Sequence, residues 1–191
     1  MAIATSKTRE QFPLSTKKIF KKTIEGSLIW LVLLAFLYGI FLYLSTTIVN
    51  AKPEPIAVES INNITSFLAI IMPLIIVFFF AIVLLQYLYQ RWYFSVYFYD
   101  LTPDYIVIRK GPILPREITI PYERVQDVYV DQDFMDRLFG LYDVHLSSAT
   151  ISSGMEAHID GLEKPAADGL RKEFLEIVSK RISKEHVEKS S

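Results

Sequence analysis

The chain contains no cysteine. That excludes disulfides, thiolate metal sites, cysteine nucleophiles and S-palmitoylation. Histidine is scarce as well, with His145, His158 and His186 the only three in 191 residues. The seven glycines are scattered and form neither Gly-x-Gly-x-x-Gly nor Gly-x-x-x-x-Gly-Lys, so there is no phosphate-cradling loop. Gly-x-Ser-x-Gly is also missing, and Ser152 and Ser153 fall in an expected hairpin loop. Twenty basic residues against 21 acidic ones give a net charge of −1, unlike the basic domains that coat nucleic acid.

Charge itself is missing over two long stretches, from Gly26 to Ala51 and from Ser60 to Gln90. Leu28–Val49 is almost wholly apolar, and Ile64–Tyr89 is apolar apart from Thr65, Ser66 and Gln86. A spanning helix needs about 20 apolar residues at ~1.5 Å each. Both runs are therefore expected to cross a membrane, as spans at 28–49 and 64–89 with an external connector at 50–63. Pro73 should kink the second span, which membrane helices tolerate. Val49-Asn50-Ala51 resembles a signal-peptide cleavage site. The apolar run before it, however, is longer than an ordinary signal core and follows a long basic arm.

Orientation follows from the flanking cations. Lys17, Lys18, Lys21 and Lys22 precede the first span, Arg91 and Trp92 follow the second, and the connector holds only Lys52. These six flanking residues are the expected membrane-interface set. They place both termini in the cytoplasm and the chain in the plasma membrane as a multi-pass protein. Neither span carries an ionisable side chain, which suits an anchor better than an ion path or proton relay.

Charge is also uneven. Residues 1–26 hold six basic and two acidic groups, and residues 91–191 hold 13 basic and 17 acidic groups. A basic arm at 1–26 thus precedes the hairpin at 27–91, and an acidic domain follows it.

After Arg91 the pattern alternates with period two. Trp92, Phe94, Val96 and Phe98 read as one face of a strand that starts directly after the membrane. Further strands are expected at Tyr105–Lys110, Glu117–Pro121, Val125–Asp131, Asp143–Ser148 and Glu156–Asp160. A short helical turn at Phe134–Gly140 interrupts them, and a turn around Ser152-Ser153-Gly154 separates the last two. Pro165 suits the first turn of a helix whose stripe is Leu170, Phe174, Ile177, Val178 and Ile182. Residues 184–191 read as a frayed tail. The fold class is α+β with membrane helices: a two-helix hairpin, then a small antiparallel β barrel or sandwich at 92–183 capped by its C-terminal helix.

Four segments carry a resemblance. They are Leu101-Thr102 with Tyr105–Gly111, then Ile120–Val128, then Arg137–Val144, then Ile159–Leu162. In this order, after a membrane hairpin, they resemble the bacterial pleckstrin-homology-like (PH-like) domain family of the YdbS/YdbT type. The resemblance implies a bent seven-strand sheet capped by a helix. It also implies a membrane-anchored protein without established catalysis that serves in assemblies at the cell envelope. The stretch Ala149–Gly154 departs from the turn common among such relatives.

Several clusters hold side chains that could carry chemistry. Asp127, Asp131, Asp133 and Asp136 do not fit a calcium loop, because Met135 and Asp136 stand where a ligand and a glycine belong. They read as a solvated acidic edge. If the last two strands pair, one register sets His145 against His158 and Asp143 against Asp160, a donor set for zinc or iron. The reading adopted is two exposed strand histidines that keep the hairpin soluble, since cross-strand pairs arise by chance, and no metal or cofactor is assigned. The loop Arg109–Arg116 sets Arg109, Lys110 and Arg116 around Ile113 and Leu114. It suits contact with anionic lipid headgroups, or a hairpin packed on the C-terminal helix. The expected function is a non-enzymatic membrane-anchored interaction module for a protein partner or self-assembly. Lipid binding through the 109–116 loop is the alternative.

Overall fold

The structure is a computed structural model, and it describes residues 6–50, 55–148 and 157–189. It divides into two compact units. One is Lys22–Tyr89. The other joins the residues up to Lys21 to those from Gln90 onward.

The Lys22–Tyr89 unit consists of the greater part of two long helices, α2 (Lys17–Asn50) and α3 (Pro55–Val96). Both are long and apolar enough to cross a membrane. Their large apolar side chains, such as Phe36, Val77, Phe78 and Phe80, are exposed along their length. A soluble core helix would bury such groups. Gly26 lets the two helices approach, since a Cβ there would collide with the Gln86 side chain. α3 contains Pro73 and begins at Pro55, so part of the expected connector is helical. Residues 51–54, which include Ala51 of the considered cleavage site, lie outside the described residues.

The second unit begins with α1 (Lys7–Gln11) and the first turns of α2. Six strands follow: β1 (Phe98–Leu101), β2 (Tyr105–Lys110), β3 (Arg116–Pro121), β4 (Val125–Asp131), β5 (Leu141–Ser148) and β6 (Ala157–Glu163). They form two antiparallel three-stranded sheets, ordered β1-β2-β3 and β4-β5-β6. A 3-10 turn at Tyr122–Arg124 joins the sheets. α4 (Phe134–Phe139) links β4 to β5, starting under an Asp133 cap and stopping at Gly140 with φ +66°.

The alternating residues build one core. Ile106 and Ile108 of β2, Ile120 of β3, Val128 of β4, and Val144 and Leu146 of β5 are all buried in it. Ala167, Leu170 and Phe174 of α5 (Lys164–Lys189) close over them, with Ile177 and Val178 packed at the margin.

Two elements differ from the sequence reading. The alternation from Trp92 does not start a strand: α3 continues through Val96 and β1 starts at Phe98. A helix already running has each further residue added without a new nucleus, and Arg9 holds its end from outside (below). α5 also runs to Lys189, past the expected tail boundary at 183. Its last residues are rich in Glu and Lys, good helix formers. The expected turn at Ser152-Ser153-Gly154, with the departing stretch Ala149–Gly154, lies outside the described residues.

Candidate functional site

Of the residues read as a basic arm at 1–26, Ser6 to Lys21 are built into the β domain's unit. Ser6 caps α1, accepting from the Arg9 amide at 2.9 Å. Its hydroxyl donates to the Tyr99 carbonyl oxygen at 2.5 Å. The Leu101 amide donates to Thr8 Oγ1 at 3.0 Å. The Arg9 guanidinium donates to the Tyr97 carbonyl and, at 3.2 Å, to the Phe94 carbonyl. The outer backbone groups of β1 and the last turn of α3 are thereby satisfied. Leu14 then forms an antiparallel bridge with Leu162, and the Ser15 amide donates to the Gly161 carbonyl at 2.9 Å. That covers part of the β6 edge. Sheet edges invite unwanted pairing, and this segment blunts two of them.

The same segment delivers two lysines into the domain. Lys18 Nζ lies 2.9 Å from Asp160 Oδ2, with the side chains only 5% and 13% exposed. Lys110 Nζ approaches Asp160 Oδ1 at 3.3 Å, and the Tyr97 hydroxyl donates to the same oxygen at 3.1 Å. Lys18 Nζ also sits 4.0 Å from the Tyr97 ring centroid. Burial would push the Asp160 carboxyl up, but Lys18 and Lys110 hold it well below the usual carboxylate range. Burial, reinforced by Asp160, pushes the Tyr97 hydroxyl well above its ordinary value.

Gly161 makes room for Lys18. A Cβ there would come 2.5 Å from Lys18 Cδ, and the residue has φ +84°. Its amide donates to Asp143 Oδ1 at 2.8 Å. Burial, then the Asp160 charge, raise the Asp143 carboxyl to about 6. One helical turn further, Lys21 Nζ lies 3.0 Å from Asp133 Oδ2 and 2.5 Å from Asp136 Oδ1. Asp136 is buried and Asp133 caps α4, so the acidic edge is only partly solvated.

The expected interface residues thus separate. Lys18 and Lys21 pair inside the domain, while Lys17 pairs with the exposed Glu163 at 3.0 Å. Lys22 pairs with Glu25 at 3.0 Å, and Arg91 and Trp92 are exposed. The signal for this arrangement was present. Lys18 and Lys21 are three residues apart, which puts both on one helix face. The sequence did not say which surface that face meets.

In the 109–116 loop, Arg109 Nε and Nη2 lie 2.9 and 2.6 Å from Glu117 Oε2, and Lys110 is engaged by Asp160. Arg116 is exposed. Gly111 adopts φ +96°, and a side chain there would strike the Leu114 carbonyl. Ile113 and Leu114 do not pack on α5: they are 66% and 78% exposed.

The histidines meet as one register required. His145 pairs with His158 across β5 and β6, their rings stack at 5.3 Å, and Tyr129 stacks on His145 at 5.0 Å. Asp143 does not join them, Asp160 Oδ1 comes only to 3.9 Å from His158 Nε2, and the carboxylate on His145 Nε2 is that of Asp131, at 3.1 Å. An irregularity between Tyr142 and Val144 shifts the register, and both carboxylates are committed elsewhere. Among the described residues no group of three or more His, Asp or Glu side chains could hold a metal ion.

What is enclosed here is therefore a set of paired charges that fastens an N-terminal segment to a two-sheet, helix-capped domain, in a chain that also carries two long apolar helices. Comparison with known families agrees: the bacterial PH domain family matches residues 23–178, most of the chain. The protein belongs to that family. PH domains are in general non-catalytic interaction modules. No curated protein and no solved structure matches the chain.

Proposed function

We propose that this is a two-span protein of the plasma membrane whose PH-like domain is held at the cytoplasmic face to bind a protein partner or another copy of itself. The carrying observation is the partition of the chain. Residues up to Lys21 and those from Gln90 onward belong to one unit, so two intervening spans return the chain to the side it left. The basic flank Lys17–Lys22 supports a cytoplasmic side. Pairing of Lys18 and Lys21 with the β domain does not weaken that argument, because the β domain follows both spans in the chain and is made after them.

With β1 and β6 partly covered by the N-terminal segment, the outer edges of β3 and β4 pair with no strand among the described residues. They suit strand addition by a partner. Resemblance to the YdbS/YdbT type suggests an assembly at the cell envelope.

The test is photo-crosslinking in cells from the full chain, with the crosslinker at the exposed Thr119 of β3 or Gln126 of β4. A discrete adduct, to one other protein or to the chain's own dimer, is expected. A chain that gives no adduct from either strand and stays monomeric in nanodiscs would sink the proposal.

A second reading has its own support. The exposure of Ile113 and Leu114 beside Arg116 favours contact of the 109–116 loop with anionic headgroups. The acidic partners of Arg109 and Lys110 reduce the charge that loop can offer.

A further inference from the structure

Of β3 and β4, whose outer edges pair with no strand among the described residues, β4 has the more selective edge. On β3, Pro121 lacks an amide and Glu117 is bound to Arg109. On β4 the direction of the backbone groups follows from the ladder. Across β5 and β6, His145 faces His158, and the His158 carbonyl turns away from β5 to accept from the Tyr97 hydroxyl at 3.3 Å. An antiparallel ladder alternates between pairs that exchange both backbone bonds and pairs that exchange none. His145 and His158 are a pair of the second kind. His145 therefore turns its backbone groups to β4, where its partner is Tyr129. Val128 and Val130, on either side of Tyr129, then direct their N–H and C=O groups out of the sheet edge. In keeping with this, the Val128 amide donates to the carboxylate of its neighbour Asp127 at 2.8 Å.

Asp127 thus occupies a donor that an added strand would need. A side chain bound to its own backbone competes with ladder formation. Asp127, Tyr129 and Asp131 alternate on the outer face and are exposed, while Val128 and Val130 turn to the core. Asp131 lies 3.1 Å from His145 Nε2, and Tyr129 stacks on the His145 ring at 5.0 Å. Across a strand pair, opposite charges attract and like charges repel. A strand that sets lysine or arginine opposite Asp127 and Asp131 meets both carboxylates. It also draws Asp127 off the Val128 amide, which is then free to join the new ladder. A second copy does not fit here. Antiparallel pairing of β4 with another β4 about Tyr129 would set Asp127 against Asp131.

We propose that β4 is the edge to which a protein partner adds a strand, that the partner's strand is basic, and that Asp127 sets this preference by closing the Val128 amide to strands that bring no cation. The partner segment would carry Lys or Arg at i and i+4, with a β-branched or aromatic residue midway to lie against Tyr129. Discrimination by an element that repels the wrong partner is a common source of specificity. This deepens the reading of the domain as an interaction module and rests on it.

The test titrates the full chain in nanodiscs with short labelled peptides, read by fluorescence anisotropy. Each peptide has Thr-Val-Thr flanked on both sides by lysine, by serine or by glutamate. The lysine peptide is expected to bind several-fold more tightly than the serine peptide, and the glutamate peptide most weakly. Asp127 is exposed, so Asp127→Ala leaves the core intact while it frees the amide and removes the charge. In that variant the lysine peptide should weaken, and the serine peptide should bind several-fold more tightly than to the wild type. Asp131→Ala leaves the Val128 amide bonded, so it should weaken the lysine peptide without helping the serine peptide. If the two variants behave alike, the surface attracts cations in general and the role of Asp127 is overturned. No binding of the lysine peptide, or equal binding of all three, overturns the whole proposal. Crosslinking in cells from Gln126 separates the two readings. An adduct there without preference for the lysine peptide leaves the interaction module standing and removes only the basic strand. No adduct from β3 or β4 in a chain that stays monomeric removes the module itself.

Discussion

A buried lysine is retained only when its charge is met. Lys18 has Asp160 at 2.9 Å and the Tyr97 ring beneath it. Breaking such a pair by removing one partner leaves an uncompensated charge and typically costs about 3–5 kcal/mol. Asp160 is shared with Lys110, so one carboxylate ties α2 to both sheets. Asp143 has the opposite character. Its carboxyl rises from 3.8 to about 6, with burial the leading cause and the Asp160 charge next. The folded state therefore binds its proton more tightly than the unfolded chain does. Its contribution to stability is fully present below 3.8 and is lost as the pH rises through about 6. Asp160 works in reverse, contributing stability that is lost in acid. Asp143→Asn keeps an acceptor for the Gly161 amide and cannot ionise. The variant is expected to gain on the wild type by about 3 kcal/mol as the pH is raised across that window. Chemical denaturation at a series of pH values measures the difference. Parallel profiles would refute the assignment.

At the level of elements, the N-terminal segment depends on two glycines of the β domain. Gly161 admits Lys18, and Gly169 on α5 admits Phe12, whose ring would lie 2.5 Å from a Cβ at that position. In an ordinary helix, alanine is favoured over glycine by roughly 0.5–1 kcal/mol. Here overpacking against Phe12 should outweigh that gain, at about 1–3 kcal/mol. Gly169→Ala is thus expected to destabilise the full chain, and to stabilise it when Phe12→Ala is already present. A double-mutant cycle by thermal unfolding decides it. The same sign in both backgrounds would mean that Phe12 is not seated on Gly169. The β strands and the α5 stripe were legible because each alternation or helical spacing is local. The docking of Ser6–Lys21 was not, since it depends on glycines about 150 residues away and on Arg9 reaching the end of α3. That reach also helps explain why the alternation from Trp92 to Val96 misled. A helix end fixed by a distant arginine leaves no mark in the local pattern.

For the whole molecule, two uncharged runs were enough to read two long apolar helices, and four short segments were enough to suggest the family. Division of labour within the candidate site was hidden, because a lysine bonded to a distant aspartate and a lysine facing lipid look alike in sequence. The partition into units makes a separable claim. If the hairpin is only an anchor, its replacement should leave the β domain intact, provided the N-terminal segment is kept. Residues 1–21 joined by a flexible Gly/Ser linker to residues 90–191 are expected to give a soluble protein with a cooperative thermal transition. Loop-closure entropy changes by only about 0.6 kcal/mol per doubling of loop length, so the linker itself is nearly neutral. Residues 92–191 alone should be less stable and prone to associate. They leave the β1 edge and Leu162 uncovered and Asp160 without Lys18. Any lipid or partner binding seen with that shorter fragment would then partly report the exposed edges. Calorimetry and sedimentation of the two proteins separate the cases. Equal stability would show that the N-terminal segment is a tether lying on the domain, and that the family's β domain closes its own edges without it.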